Sequence, residues 1–269
     1  MRRFLLFILI GFIQGARSFV LPNNLHDAAM SNALSTMKPL KFFGRATPEP
    51  EKIIIQGVGE EGCALESPSK VNTLPEPIQA AIFFAVLASL GAATIPFSNF
   101  LSSLTSQYEW VQSWRYTWPL LGVIYAAAGV THFTLQEEYE NIYPSQGAWG
   151  FWYLPGSKEF HVKWTGVAEI LGGVGLLVGG AFDAFAPVYY SCPNIVTNAG
   201  IGSDAAAGLL LLTAVVTPAN IFMYTHGAKL PMDGPEVPIV GHFIRGIMQV
   251  VLFGLLYQMG EGTFEQLLS

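Results

Sequence analysis

The chain has 269 residues, of which 51% are hydrophobic and 12% charged, where a soluble globular domain carries roughly 25% charged residues. Its mean hydropathy is +0.42, and 13 Lys and Arg against 19 Asp and Glu leave a formal charge of -6. This is a membrane-protein composition, and without a basic cluster it excludes the phosphate backbone of a nucleic acid as a partner.

The opening stretch, "MRRFLLFILIGFIQGARSFVLP", sets Arg2 and Arg3 before an apolar run and then offers Ala16 and Ser18 as small residues for cleavage. The run is too short for an easy transmembrane helix, so residues 1–18 read as a signal peptide and are set apart from the fold. An uncleaved short anchor is the alternative. Cleavage after Ser18 exposes Phe19, and residues 19–57 are poor in acids and dotted with Ser, Asn, Lys and Arg, a transit-like stretch expected to stay unfolded. Together these features resemble the bipartite plastid-targeting presequences of algae with red-lineage plastids. The resemblance implies a plastid membrane, the thylakoid before the envelope; a secretory-pathway membrane is the alternative.

A polar segment, 58–77, precedes five apolar runs at 78–104, 118–135, 164–182, 204–226 and 239–258, each near the ~20 residues a bilayer needs. Residues 259–269 form a tail. The fold class expected is an all-α membrane protein, a four-helix transmembrane bundle plus one additional N-terminal membrane helix. Pro96 and the polar "SNFLSSL" leave the first run open to a broken or interfacial helix. Trp110, Trp114, Trp118, Trp149, Trp152 and Trp164, with Tyr108, Tyr116, Tyr143 and Tyr153, fall at run ends or in loops, as an aromatic belt would. In this topology Lys70, Lys158, Lys163 and Lys229 share the side of the mature N-terminus and Arg115 lies on the other, which puts that N-terminus on the stromal side of a plastid membrane. Cys63 and Cys192 are far apart and form no C-x-x-C, so no disulfide framework or thiolate zinc site is indicated. Cys192, in "YYSCPN", is the better candidate for a reactive thiol.

Glu169 stands inside "VKWTGVAEILGGVGLLVGG", where an ionised carboxylate costs at least a few kcal/mol. On a helix its neighbours at three and four residues are Thr165, Gly166, Gly172 and Gly173, all small. Gly175 and Gly179 make a G-x-x-x-G step, and Ala168 and Gly172 a small-x-x-x-small step, so this helix is built for close packing and Glu169 points into the bundle. At 1.5 Å per residue, Arg245, Asn220 and His132 share its depth on three other helices. The expected arrangement is a central Glu169–Arg245 ion pair completed by Asn220 and His132 and extended by His242 and Gln249. Such a cluster either fixes helix partners or forms the floor of a pocket for a small amphipathic molecule. A metal site using His132, Glu169 and His226 or His242 lacks an i,i+4 ligand pair, and no metal is assigned.

The segments "AGVTHF" (128–133), "WTGVAEILGGVGLL" (164–177) and "TPANIFM" (217–223), with the last span, resemble the DoxX-like family of small multi-pass membrane proteins over residues 117–258. The additional helix and the long loop 136–162, with its acids and aromatics, look like additions of plastid members. That loop reads as lying along the headgroups or docking onto a membrane complex. The resemblance implies a quinone- or redox-linked membrane component, with Glu169 or His132 as proton carrier. A non-enzymatic accessory or assembly subunit of a photosynthetic or other plastid membrane complex, and a small-molecule carrier, remain the alternatives. Catalytic residues and substrate are not assigned.

Overall fold

The computed structural model describes residues 62–185 and 200–269. The signal peptide 1–18, the stretch 19–57, the start of segment 58–77 and Cys192 lie outside the described residues. The helices are α1 (Glu76–Gln107), α2 (Glu109–Trp114), α3 (Leu121–Thr134), α4 (Gln136–Ile142), α5 (Lys158–Phe185), α6 (Ile201–His226) and α7 (Ile239–Leu268). A 3₁₀ segment, Arg115–Leu120, joins α2 to α3. Helices α1, α5, α6 and α7 are long and apolar enough to cross a membrane; the stretch Glu109–Thr134 and α4, bent by 99° where they join, make a fifth candidate when taken together as one span. The protein is a multi-pass helical membrane protein.

Neighbours run in the order α3, α5, α6, α7, α1, and small residues let them approach. Antiparallel α3 and α5 meet through glycines seven residues apart on each helix. A Cβ on Gly173 would lie 2.5 Å from the Gly122 carbonyl oxygen, and one on Gly129 would lie 2.6 Å from that of Gly166. A different face of α5 meets α6: Gly172 takes the Leu209 side chain, Gly175 faces Ala205 and Gly179 faces Gly202. Tyr125 of α3 reaches α6, where its hydroxyl donates to Thr213 Oγ1 at 2.8 Å. The core joins Tyr125, Ala168, Leu176, Leu209, Leu212 and Leu256.

Helix α1 runs unbroken through Pro96. Contacts just after the proline hold it to α7: Phe97 packs where Gly254 has no side chain, and the Gln258 amide donates to Ser98 Oγ at 3.0 Å and Ser102 Oγ at 2.7 Å. Helix α7 likewise continues through 259–268, the stretch set apart by hydropathy as a tail. Thr263 bonds Ser203 Oγ and Asp204 Oδ1 there, each at 2.8 Å. The polar side chains lower hydropathy without ending the helix.

One end of the bundle carries a cap. Gly227 ends α6 in the left-handed conformation. Residues 62–75 fold across that end: Ser67 and Ser69 hydroxyls donate to the carbonyls of Thr225 and Tyr224 at 2.9 and 2.6 Å, satisfying groups that a helix terminus leaves bare. The 143–157 loop completes the cap. Trp149 is 1% exposed; its indole donates to Thr225 Oγ1 at 3.0 Å, and its ring lies 4.5 Å from that of Phe83. This corrects the expected headgroup loop and aromatic belt in part, because Trp118, Trp149 and Trp164 are buried while Trp110, Trp114, Tyr108, Tyr116 and Tyr153 are exposed. Side chains of this size offer enough apolar area to draw a loop onto the bundle.

Candidate functional site

The close approach of Gly129 and Gly166 lays the last turn of α3 on α5 and fixes His132. Its Nδ1 lies 2.9 Å from the Val162 carbonyl oxygen and 3.2 Å from Thr165 Oγ1. A carbonyl only accepts, so Nδ1 carries a hydrogen. Thr165 in turn donates to the His161 carbonyl at 2.8 Å. The Tyr139 ring covers the imidazole, centroid to centroid 3.9 Å, and its hydroxyl donates to Thr131 Oγ1 at 2.8 Å.

His132 Nε2 faces Glu169 Oε2 at 3.4 Å, beyond the range of a well-formed hydrogen bond. With Nδ1 protonated, one further proton can sit on Nε2 or on the carboxyl; with it the pair is neutral, and without it a carboxylate faces a neutral imidazole and the pair carries one negative charge. Glu169 is 8% exposed, and its Oε2 has no hydrogen-bond partner among the described residues.

Glu169 opens onto a cavity of about 300 Å³ whose lining includes His132, Tyr143, Trp152, Asn220 and Arg245. Thus the four residues singled out by depth border one space. Their pairing differs from expectation. Glu169 faces His132, whereas Arg245 Nη2 donates to Asn220 Oδ1 at 2.6 Å. Depth was a sound guide to which residues meet the cavity, but it carries no information on azimuth, and α6 stands between α5 and α7. Among the described residues Arg245 has no carboxylate within ion-pair distance.

Gln249 does extend the Arg245 side: its Oε1 lies 3.5 Å from Asn220 Nδ2, and its amide donates to Thr217 Oγ1. His242 sets its ring 5.5 Å from that of Tyr224 and, with Arg245 and Gln249, lines a second cavity. His226 stacks on Phe222 with Nδ1 2.9 Å from Thr225 Oγ1, away from Glu169. Cys63 Sγ points to Asn141 Oδ1 at 3.7 Å, in the cap.

Residues overlooked in the sequence complete the cavity. His161 stacks 5.1 Å from Tyr143; its Nε2 donates to the Pro155 carbonyl at 2.8 Å, and its Nδ1 accepts from the Trp164 indole at 3.2 Å. Both nitrogens are committed, so His161 positions the loop. Burial pushes the Tyr143 hydroxyl up to about 12, which keeps it a neutral donor. The i,i+4,i+8 spacing of His161, Thr165 and Glu169 places all three on one face and could have been read. Tyr143 and Trp152 arrive by loop folding, for which no periodicity gives a signal.

The second cavity, about 720 Å³ and mainly apolar, lies between α1, α6 and α7, and Asn220 and Arg245 line it as well. No family model, no curated protein and no solved structure matches this chain.

Proposed function

We propose that this protein binds a small lipid-soluble molecule in the polar cavity, with His132 and Glu169 holding the one proton available to it. The observation that carries the reading is Glu169, which lines the cavity with a buried Oε2 that makes no hydrogen bond and has only His132 Nε2, at 3.4 Å, opposite it. A pair retained only to match helices has no use for an unsatisfied oxygen, which costs about 1–3 kcal/mol. A ligand donor would repay that cost.

Donors and acceptors converge on the cavity from four helices, α3, α5, α6 and α7, and from the cap, as expected for a small-molecule site. A quinone, the class implied by the DoxX-like resemblance, offers carbonyl acceptors that Arg245 and Tyr143 could meet, with the proton on the His132–Glu169 pair. The cap supports a binding role over docking to a partner complex, because Trp149 is already committed to the bundle. The plastid membrane belongs to the same proposal and is supported by the "MRRFLLFILI" and Phe19 pattern.

The test is mass spectrometry of lipophilic molecules retained by the purified protein in mild detergent, comparing wild type with Glu169→Gln. A compound held by wild type and depleted about tenfold or more in the variant is expected, the size of one buried hydrogen bond to a charged group. A folded wild type that retains nothing would overturn the reading.

A further inference from the structure

Helices α1 and α7 are joined at one level and parted at another. The Gln258 amide holds Ser98 and Ser102, and Phe97 fills the space above Gly254. Toward the cap the pair diverges, opening the wedge of about 720 Å³ lined by Val86, Leu90, Gly246, Ile247 and Val250. Its walls are apolar, so water has few partners there. Arg245 and Asn220 form the wall that the wedge shares with the polar cavity.

Arg245 brings a positive charge and five N–H donors to that wall, and among the described residues no carboxylate lies within ion-pair distance of it. The Asn220 oxygen, which is neutral, takes one. On the cap side of Arg245 in α7, Ile239, Val240, Phe243 and Ile244 are all exposed. Arg245 follows Ile239 by six residues, about 9 Å along the axis. A phosphodiester headgroup stays outside the hydrocarbon layer, so an anion reaching this depth must be compact and carried on its own chain. The fork of a guanidinium matches a carboxylate.

We propose that the wedge between α1 and α7 takes the chain of a single-chain carboxylic acid whose carboxylate sits on Arg245, with the polar cavity beyond. This goes beyond the reading of the cavity as a lipophile site, since the acid places its charge on Arg245 and no donor on Glu169. Full-length protein in mild detergent is to be titrated with isotope-labelled palmitate and, separately, with hexadecanol, which has the same chain without the charge.

Wild type is expected to hold palmitate about tenfold more tightly than the alcohol. Arg245→Gln should erase that preference, and Arg245→Lys, which keeps the charge, should retain part of it. Gly246→Phe should weaken both ligands by filling the wedge, since a Cβ there meets only Leu90 Cδ2, at 3.9 Å. Equal retention of acid and alcohol, or a preference that survives Arg245→Gln, overturns the carboxylate assignment. If a quinone co-purifies and palmitate does not bind, the cavity reading stands and this one falls. If a folded wild type binds no lipophile, both fall.

Discussion

Glu169 and His132 face each other but do not share a role in stability. Replacing Glu169 by Gln keeps the shape and supplies an amide donor toward Nε2, so the fold should change by no more than about 1 kcal/mol. Replacing His132 by Ala removes the ring under Tyr139 and leaves the Val162 carbonyl and Glu169 facing a void, a loss of about 2–4 kcal/mol. Detergent unfolding curves of the two variants measure the contrast, and equal losses would show that the carboxyl is itself structural. A second pair of variants separates the contributions of Trp149. Phe at 149 loses the bond to Thr225 and part of the ring's packing, about 1–3 kcal/mol, whereas Ala should cost about 3–5 kcal/mol by emptying the cap. The same residues mark the limit of sequence reading. An acid within an apolar, glycine-rich run declares itself by its cost, and helical rise gives its depth. Its partner depends on helix rotation, which packing decides, so His132 rather than Arg245 stands opposite.

Among the elements, α5 is the helix that positions the site, and glycine is the reason. Gly173→Ala sets a methyl against backbone that cannot yield, 2.5 Å from the Gly122 oxygen. It should part α3 from α5 at a cost of about 1–3 kcal/mol and loosen His132 from Val162. Gly91→Ala, with nothing within 4 Å of the added carbon, should leave stability unchanged or slightly raised. Thermal denaturation of the two proteins side by side is the check; a harmless Gly173→Ala would mean that the helices can slide apart freely. Hydropathy located these helices because each carries enough apolar residues to fill a bilayer. It misplaced their ends where polar side chains are used inside contacts, as at Thr263, and where Pro119 tightens the approach to α3 into a 3₁₀ turn. The glycines of α5 were legible as a packing surface, but their division between α3 and α6 required the neighbours.

For the molecule as a whole, the chain course makes the distribution of basic residues testable. The ends of α3 and α6 and the starts of α1, α5 and α7 meet at the cap, where Lys229 N donates to the Gly62 carbonyl at 3.1 Å. Lys70, Lys158, Lys163 and Lys229 therefore belong to the cap end. Arg115, between α2 and α3, belongs to the opposite end with the C-terminus of α7. If Glu109–Thr134 crosses the bilayer, single cysteines at Lys70 and Lys229, in a background lacking Cys63 and Cys192, should react with an impermeant maleimide from the same side of sealed vesicles. Cysteines at Arg115 and Ser269 should react only from the other side. Should Arg115 label together with Lys229, neither α1 nor Glu109–Thr134 would cross, since each runs between Arg115 and the cap. The cavity would then be reached by a shorter path from water, and a proton on His132 and Glu169 would exchange with that side alone. Five crossings instead place the pair beneath the cap, with the Tyr143 and Trp152 side chains between it and the solvent. The orientation of Arg115 thus decides how a proton reaches Glu169 as well as how many times the chain spans.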